Sequence, residues 1–113
     1  MSVTSSPDRG ASQESARPLF LVVRIKPRRD KLAEAHAQLL KMRDRSREDP
    51  GCVFMHLVEG VDDDSDTWLM IEQFRSRAAW DDHMASEYNR SGNAALDPLL
   101  REPSDLQLYE EMG

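Results

Sequence analysis

The chain has one cysteine, Cys52, so it can form no internal disulfide and no cysteine-built zinc site. Its five glycines, Gly10, Gly51, Gly60, Gly92 and Gly113, are scattered. Neither a dinucleotide-binding fingerprint nor a phosphate-binding loop is present, and no serine sits in a G-x-S-x-G turn. Long apolar runs are missing too. The longest, Leu19 to Val23, falls far short of the ~18 residues of a helical membrane span. Positive charge is the minority sign: 15 Lys and Arg stand against 21 Asp and Glu, for a net charge of −6. That balance opposes a general nucleic-acid binder, which must neutralise phosphates. A lone cysteine suits a reducing compartment, so a cytoplasmic protein is expected.

What is present suffices for one domain. The 113 residues are 39% hydrophobic, enough for a packed core in a single unit. Residues 1–18 are an exception. After the initiator, Val3, Ala11 and Ala16 are their only apolar side chains, so a disordered tail is expected before a domain over residues 19–113. The tail also lacks the hydrophobic core of a signal peptide. Charge is polarised along the rest. Residues 19–49 carry nine basic and five acidic groups, net +4, and residues 50–113 carry four and fourteen, net −10. Two differently solvated faces account for this most simply.

Local patterning predicts the elements. Leu19 to Ile25 reads as a strand, ended by Lys26-Pro27. Leu32, Ala35, Leu39 and Met42 recur at three- and four-residue spacing, a helix of about five turns with Asp30 at or near its N-cap. Pro50-Gly51 stops it. Cys52 to Val58 and Thr67 to Phe74 form an antiparallel hairpin across an acidic turn of Asp62, Asp63, Asp64 and Asp66. Ser76 caps a second helix that carries Ala79, Trp80, His83, Met84 and Glu87 along one side. A short helical piece follows, then a last strand around Leu106 and Leu108. The fold class predicted is α+β: a ferredoxin-like β-α-β-β-α-(α)-β order with a four-stranded antiparallel sheet. Helices on one face leave the other face bare. Phe54, Val58 and one set of residues on the third strand make that face apolar, which predicts a homodimer with sheets face to face.

Among candidate chemistry, His83 is the most informative. It lies on the apolar side of the second helix, and a buried imidazole needs hydrogen-bond partners. Glu72, in the midst of an apolar strand, is the expected partner. A Glu72–His83 pair would fix the tautomer and hold the imidazole pKa near or above neutrality, as a general base requires; it would equally pin the helix to the sheet. Trp68, Phe74, Trp80 and Tyr88 would line a flat apolar pocket for an aromatic ligand, or simply fill the core. His36, His56 and His83 are too far apart for a local metal motif, and a composite site from His56, His83 and Glu72 would need all three to converge. No metal is therefore expected. Cys52 is expected to be buried and inert.

Several segments in order resemble a known family. They are Asp49-Pro50-Gly51-Cys52, Glu72-Gln73-Phe74, and Ala79-Trp80-Asp81-Asp82-His83-Met84-Ala85-Ser86. The last is similar to the "A-aromatic-x-x-H-x-x-S" helix of antibiotic biosynthesis monooxygenases, including quinol-monooxygenase-like members. The resemblance runs from about Phe20 to Tyr109. It implies a dimeric α+β barrel that oxidises phenolic or quinol-like substrates with O2, with no metal or flavin cofactor, and here a quinol or polyketide-like phenol as the expected substrate. It also implies His83 as base or anion stabiliser, Glu72 as its orienter, Phe74, Trp80 and Tyr88 as the pocket wall, and Arg24 at the oxyanion if that side chain points inward. The haem-degrading branch carries an Asn on strand one, a Trp ending strand three and a His after helix two. Here those places hold no Asn, Phe74, and Glu87-Tyr88-Asn89-Arg90, so haem oxygenation is disfavoured. A non-catalytic small-molecule-binding or dimerisation module on the same fold is the rival reading.

Overall fold

Strand and helix bounds follow the side-chain patterning. The structure, a computed structural model, describes residues 17–113, and most of the expected disordered tail lies outside these. The order is β1 (Leu19–Ile25), α1 (Leu32–Ser46), β2 (Cys52–Glu59), β3 (Trp68–Phe74), α2 (Arg77–Ala85), α3 (Glu87–Leu96) and β4 (Asp105–Glu110). Short 3-10 turns cover Asp62–Asp64 and Asp97–Leu99. All strand pairs are antiparallel, in the order β2-β3-β1-β4. This is the ferredoxin-like α+β plan. Among the described residues no helix is long and apolar enough to cross a membrane.

Alternation along the central strand sets the layers. On β3, Trp68, Met70, Glu72 and Phe74 are buried beneath the helices. Leu69, Ile71 and Gln73 point to the other face and are only half-covered. Leu19, Leu21 and Ile25 of β1 join the helix side, where Leu39 of α1 and Leu96 of α3 close the core. Among the described residues no helix lies on the opposite face. There Phe20 and Phe54 lie 6.4 Å apart, and Phe54 stacks on His56 at 5.2 Å. On the helix side, Leu106 and Leu108 of the edge strand β4 stand opposite Val23 and Leu21 and stay 38% and 37% exposed.

Three local readings are corrected. First, α1 has 15 residues, about four turns rather than five. Lys31, not Asp30, occupies its N-cap, without a side-chain bond, and the Asp30 carboxylate accepts from Arg28 Nε at 3.3 Å. Second, a register shift between Cys52 and Phe54 puts Cys52 opposite Phe74, whereas Phe54 pairs with Gln73 on the open face. The even-numbered residues of β2 therefore do not share one face, and Cys52 is only partly buried. Burial still pushes its thiol pKa up, away from thiolate chemistry. Third, the helix bearing His83 stops before Glu87. Ser86 is extended, with ψ 148°. Its hydroxyl donates to the His83 carbonyl at 2.7 Å and accepts from Asn89 N at 3.3 Å, so it ends α2 and caps α3.

The turn between α1 and β2 is tightly seated. Arg75 N donates to the Gly51 carbonyl at 2.8 Å and Arg75 Nε to the Pro50 carbonyl at 2.7 Å. A Cβ on Gly51 would stand 2.6 Å from Ala79 Cβ, so only glycine lets α2 approach this closely. The result fixes Asp49 beside the end of α2.

Candidate functional site

A cavity of about 130 Å³ lies between the helix side of the sheet and the helices. Leu21, Met55 and Met70 form its floor, and Leu39, Met42 and Trp80 its roof. Met84 and Leu106, both partly exposed, belong to its lining and mark the open side. Glu72 and His83 are the titratable side chains in this lining.

Glu72 enters the cavity because strand alternation places it between buried Met70 and Phe74. It is 7% exposed and has no hydrogen-bond or ion-pair partner among the described residues. Burial pushes its pKa up to about 7. Near neutral pH a large share of Glu72 is therefore an uncharged acid, able to donate a hydrogen bond.

His83 is also 7% exposed, and its ring packs 4.9 Å from that of Phe74. The expected Glu72–His83 pair is absent. Nδ1 of His83 instead lies 3.0 Å from the Tyr88 hydroxyl. Tyr88 donates its single proton to Asp49 Oδ2, and Asp49 Oδ1 accepts from Arg45 Nη1 at 3.2 Å. The Arg45 guanidinium also covers the Tyr88 ring, 4.1 Å from its centroid. Since the Tyr88 proton is committed to Asp49, Nδ1 must carry the proton of the neutral imidazole, which leaves Nε2 as a bare lone pair. Burial lowers the His83 pKa, with Asp49 pulling the other way. Burial thus favours the uncharged ring, whereas a Glu72 partner was expected to hold the imidazole pKa near or above neutrality. Burial and the Asp49 carboxylate push the Tyr88 pKa up to about 12.

His83 also lines a second, open cleft with Asp49, Asp82, Glu87 and Tyr88. Its ring forms part of the wall between the two spaces.

The profile of antibiotic biosynthesis monooxygenases matches residues 18–95. The chain belongs to the antibiotic biosynthesis monooxygenase family. That stretch contains Asp49, Glu72, His83 and Tyr88 and ends before β4. Among solved structures, Rv0793 from Mycobacterium tuberculosis is 27% identical, with a TM-score of 0.79 over 85% of this chain and 96% of that one. SnoaB from Streptomyces nogalater, a cofactor-independent oxygenase, is 18% identical, with a TM-score of 0.76 over 87% and 96%, a likeness of fold. The uncharacterized protein sll1783 of Synechocystis sp. is 29% identical over 93 residues, 82% of this chain. The chain spans 63% of the length of that relative.

In this member of the family, the expected site residues separate into groups. Glu72, Trp80 and His83 share the cavity. Phe74 and Tyr88 flank His83 from the cleft side instead of walling the cavity. Trp68 lies under α1, with its ring 6.0 Å from that of His36, and lines neither space. Arg24 is exposed on the open sheet face, directed away from His83 by strand alternation. His56 is on that open face too, so the sheet separates it from His83 and Glu72, and the composite metal site does not form. Asp49 was missed as a functional side chain. It stood out only as the residue before Pro50-Gly51, and nothing local indicates a partner 39 positions away.

Proposed function

We propose that this chain oxidises a quinol or phenol with O2 and no metal or flavin, in the cavity beside His83. The observation that carries this reading is a small apolar cavity lined by a neutral imidazole, with Nε2 unbonded among the described residues, and by a largely uncharged buried acid. Nε2 takes the proton of a phenolic hydroxyl. The phenolate, raised in energy by its apolar surroundings, passes an electron to O2. Glu72 in its acid form donates a hydrogen bond to ligand oxygen.

Volume limits the substrate. A dry protein cavity of about 150 Å³ takes up benzene, so about 130 Å³ holds one ring. A three-ring phenol would protrude past Met84 and Leu106. Oxygen-electrode assays with single-ring and three-ring hydroquinones test both points. Uptake should be more than about tenfold faster with a single ring. Equal rates would place the reaction outside the cavity. Binding of the ring without any oxygen uptake would leave a binding module, not an enzyme.

Two chains pair through the open sheet face in this reading. Phe20, Val22, Phe54 and Ile71 share that face, which no helix among the described residues covers. Sedimentation of the native chain should give a dimer, and Phe54→Asp should give a monomer that still folds. A native monomer at micromolar concentration would refute the pairing.

A further inference from the structure

From the chain of contacts His83 Nδ1, Tyr88 hydroxyl and Asp49 carboxylate, we infer a proton relay that joins the buried cavity to the outer cleft. The three groups are in sequence, and exposure rises along them from 7% at the His83 side chain to 28% at that of Asp49. His83 lines both spaces, so a proton crosses from one to the other without any opening of the fold. Tyr88 and Asp49 do not line the cavity and act on a ligand only through His83, as positioning residues.

The direction of transfer rests on the oxygenase reading above. As the substrate O–H breaks, an N–H forms at Nε2. The Nδ1 proton passes to the Tyr88 oxygen while the Tyr88 proton passes to Asp49 Oδ2. Asp49 then releases one proton to water in the cleft. No electron moves along the chain, and the imidazole stays neutral, with its proton moved from Nδ1 to Nε2. The reverse sequence resets it when product oxygen takes the Nε2 proton. Tyr88 gives and accepts a proton in one step, since its pKa of about 12 makes a free tyrosinate inaccessible. Arg45 Nη1 donates to Oδ1 of Asp49, which leaves Oδ2 to Tyr88.

The charged and titratable groups facing this chain are Glu72 from β3, Asp82 from α2, Glu87 from α3 and Arg45 from α1. Glu72, Asp82, Glu87 and Arg45 are unchanged in the variants below.

Nitrogen NMR of the full-length chain tests the relay without any substrate. Neutral His83 should carry its proton on Nδ1. Tyr88→Phe should abolish that preference. Asp49→Asn, close in shape to the native residue, should lower the His83 pKa further by removing the nearby negative charge. In the oxygen assay both variants should lose kcat about tenfold or more, keep KM, and shift the pH-rate profile. A native Nε2–H tautomer overturns the relay whatever the activity. So does an unchanged tautomer in Tyr88→Phe. Native Nδ1–H with no oxygen uptake on any quinol would overturn the oxygenase reading alone and leave the hydrogen-bond relay in place.

Discussion

Replacing His83 with alanine is expected to slow oxygen uptake on a single-ring quinol by about 100- to 10,000-fold, the range associated with a positioned general base. The effect is large because His83 is the one imidazole in the cavity lining, and the other titratable group there, Glu72, is an acid raised in pKa by burial. Alanine also leaves Tyr88 without its second partner and enlarges the cavity, so a stability cost of about 1–3 kcal/mol accompanies the change. His83→Gln separates the two effects. Its amide can still donate to the Tyr88 hydroxyl but has no basic nitrogen. Uptake by the glutamine variant should therefore be as poor as that of the alanine variant, with circular dichroism reporting a native fold. A glutamine variant with native rates would remove His83 from the chemistry.

The second large effect concerns stability and pH. The Glu72 carboxyl is 7% exposed, and burial raises its pKa from 4.5 to about 7 in the folded chain. Well below pH 4.5 both folded and unfolded forms are protonated, and Glu72 does not affect folding. Between that value and about 7 the unfolded chain loses the proton while the folded chain keeps it. The folded state then binds more protons, so stability falls as pH rises. Above about pH 7 the penalty is complete, at about 3 kcal/mol on an order-of-magnitude reckoning. Glu72→Gln removes the ionisation and keeps the shape. Urea unfolding should give native and variant similar midpoints near about pH 4 and a clear advantage to the variant near about pH 9. A gap independent of pH would show that the Glu72 carboxyl keeps its charge in the folded chain through contacts with water.

Both experiments turn on residues visible in the sequence, but their relationship was not visible. His83 stood out because a polar ring on the apolar side of a helix is unusual, and Glu72 because a carboxylate inside an apolar strand is costly. Pairing them follows from each needing a partner. The folded chain satisfies only one of them: Tyr88 and Asp49 take His83, and Glu72 is left facing the cavity. What misled the pairing was the break at Ser86. The spacing carries the second helix as far as Glu87, which takes Tyr88 on past His83; with Ser86 extended, α3 turns and brings the hydroxyl back to Nδ1. Arg24 and Trp68 lie away from His83 for two different reasons. A strand pattern tells which residues share a face, but not which face the helices cover, and Arg24 is on the open one. Trp68 shares the covered face with Glu72 but sits at the other end of β3, under α1.

By itself the sequence determined the succession of strands and helices, the antiparallel hairpin, the family and the two ionisable groups of the cavity. Those features follow from alternation, three-to-four spacing and short ordered segments, which act over a few residues. The tertiary structure alone decided who bonds to His83, which of its nitrogens stays free, and that its ring divides an inner cavity from an outer cleft. Asp49 and Tyr88 are 39 positions apart, and a hydrogen bond depends on separation in space. Only the seating of the Pro50-Gly51 turn against α2 and the bend at Ser86 bring those atoms within reach of each other.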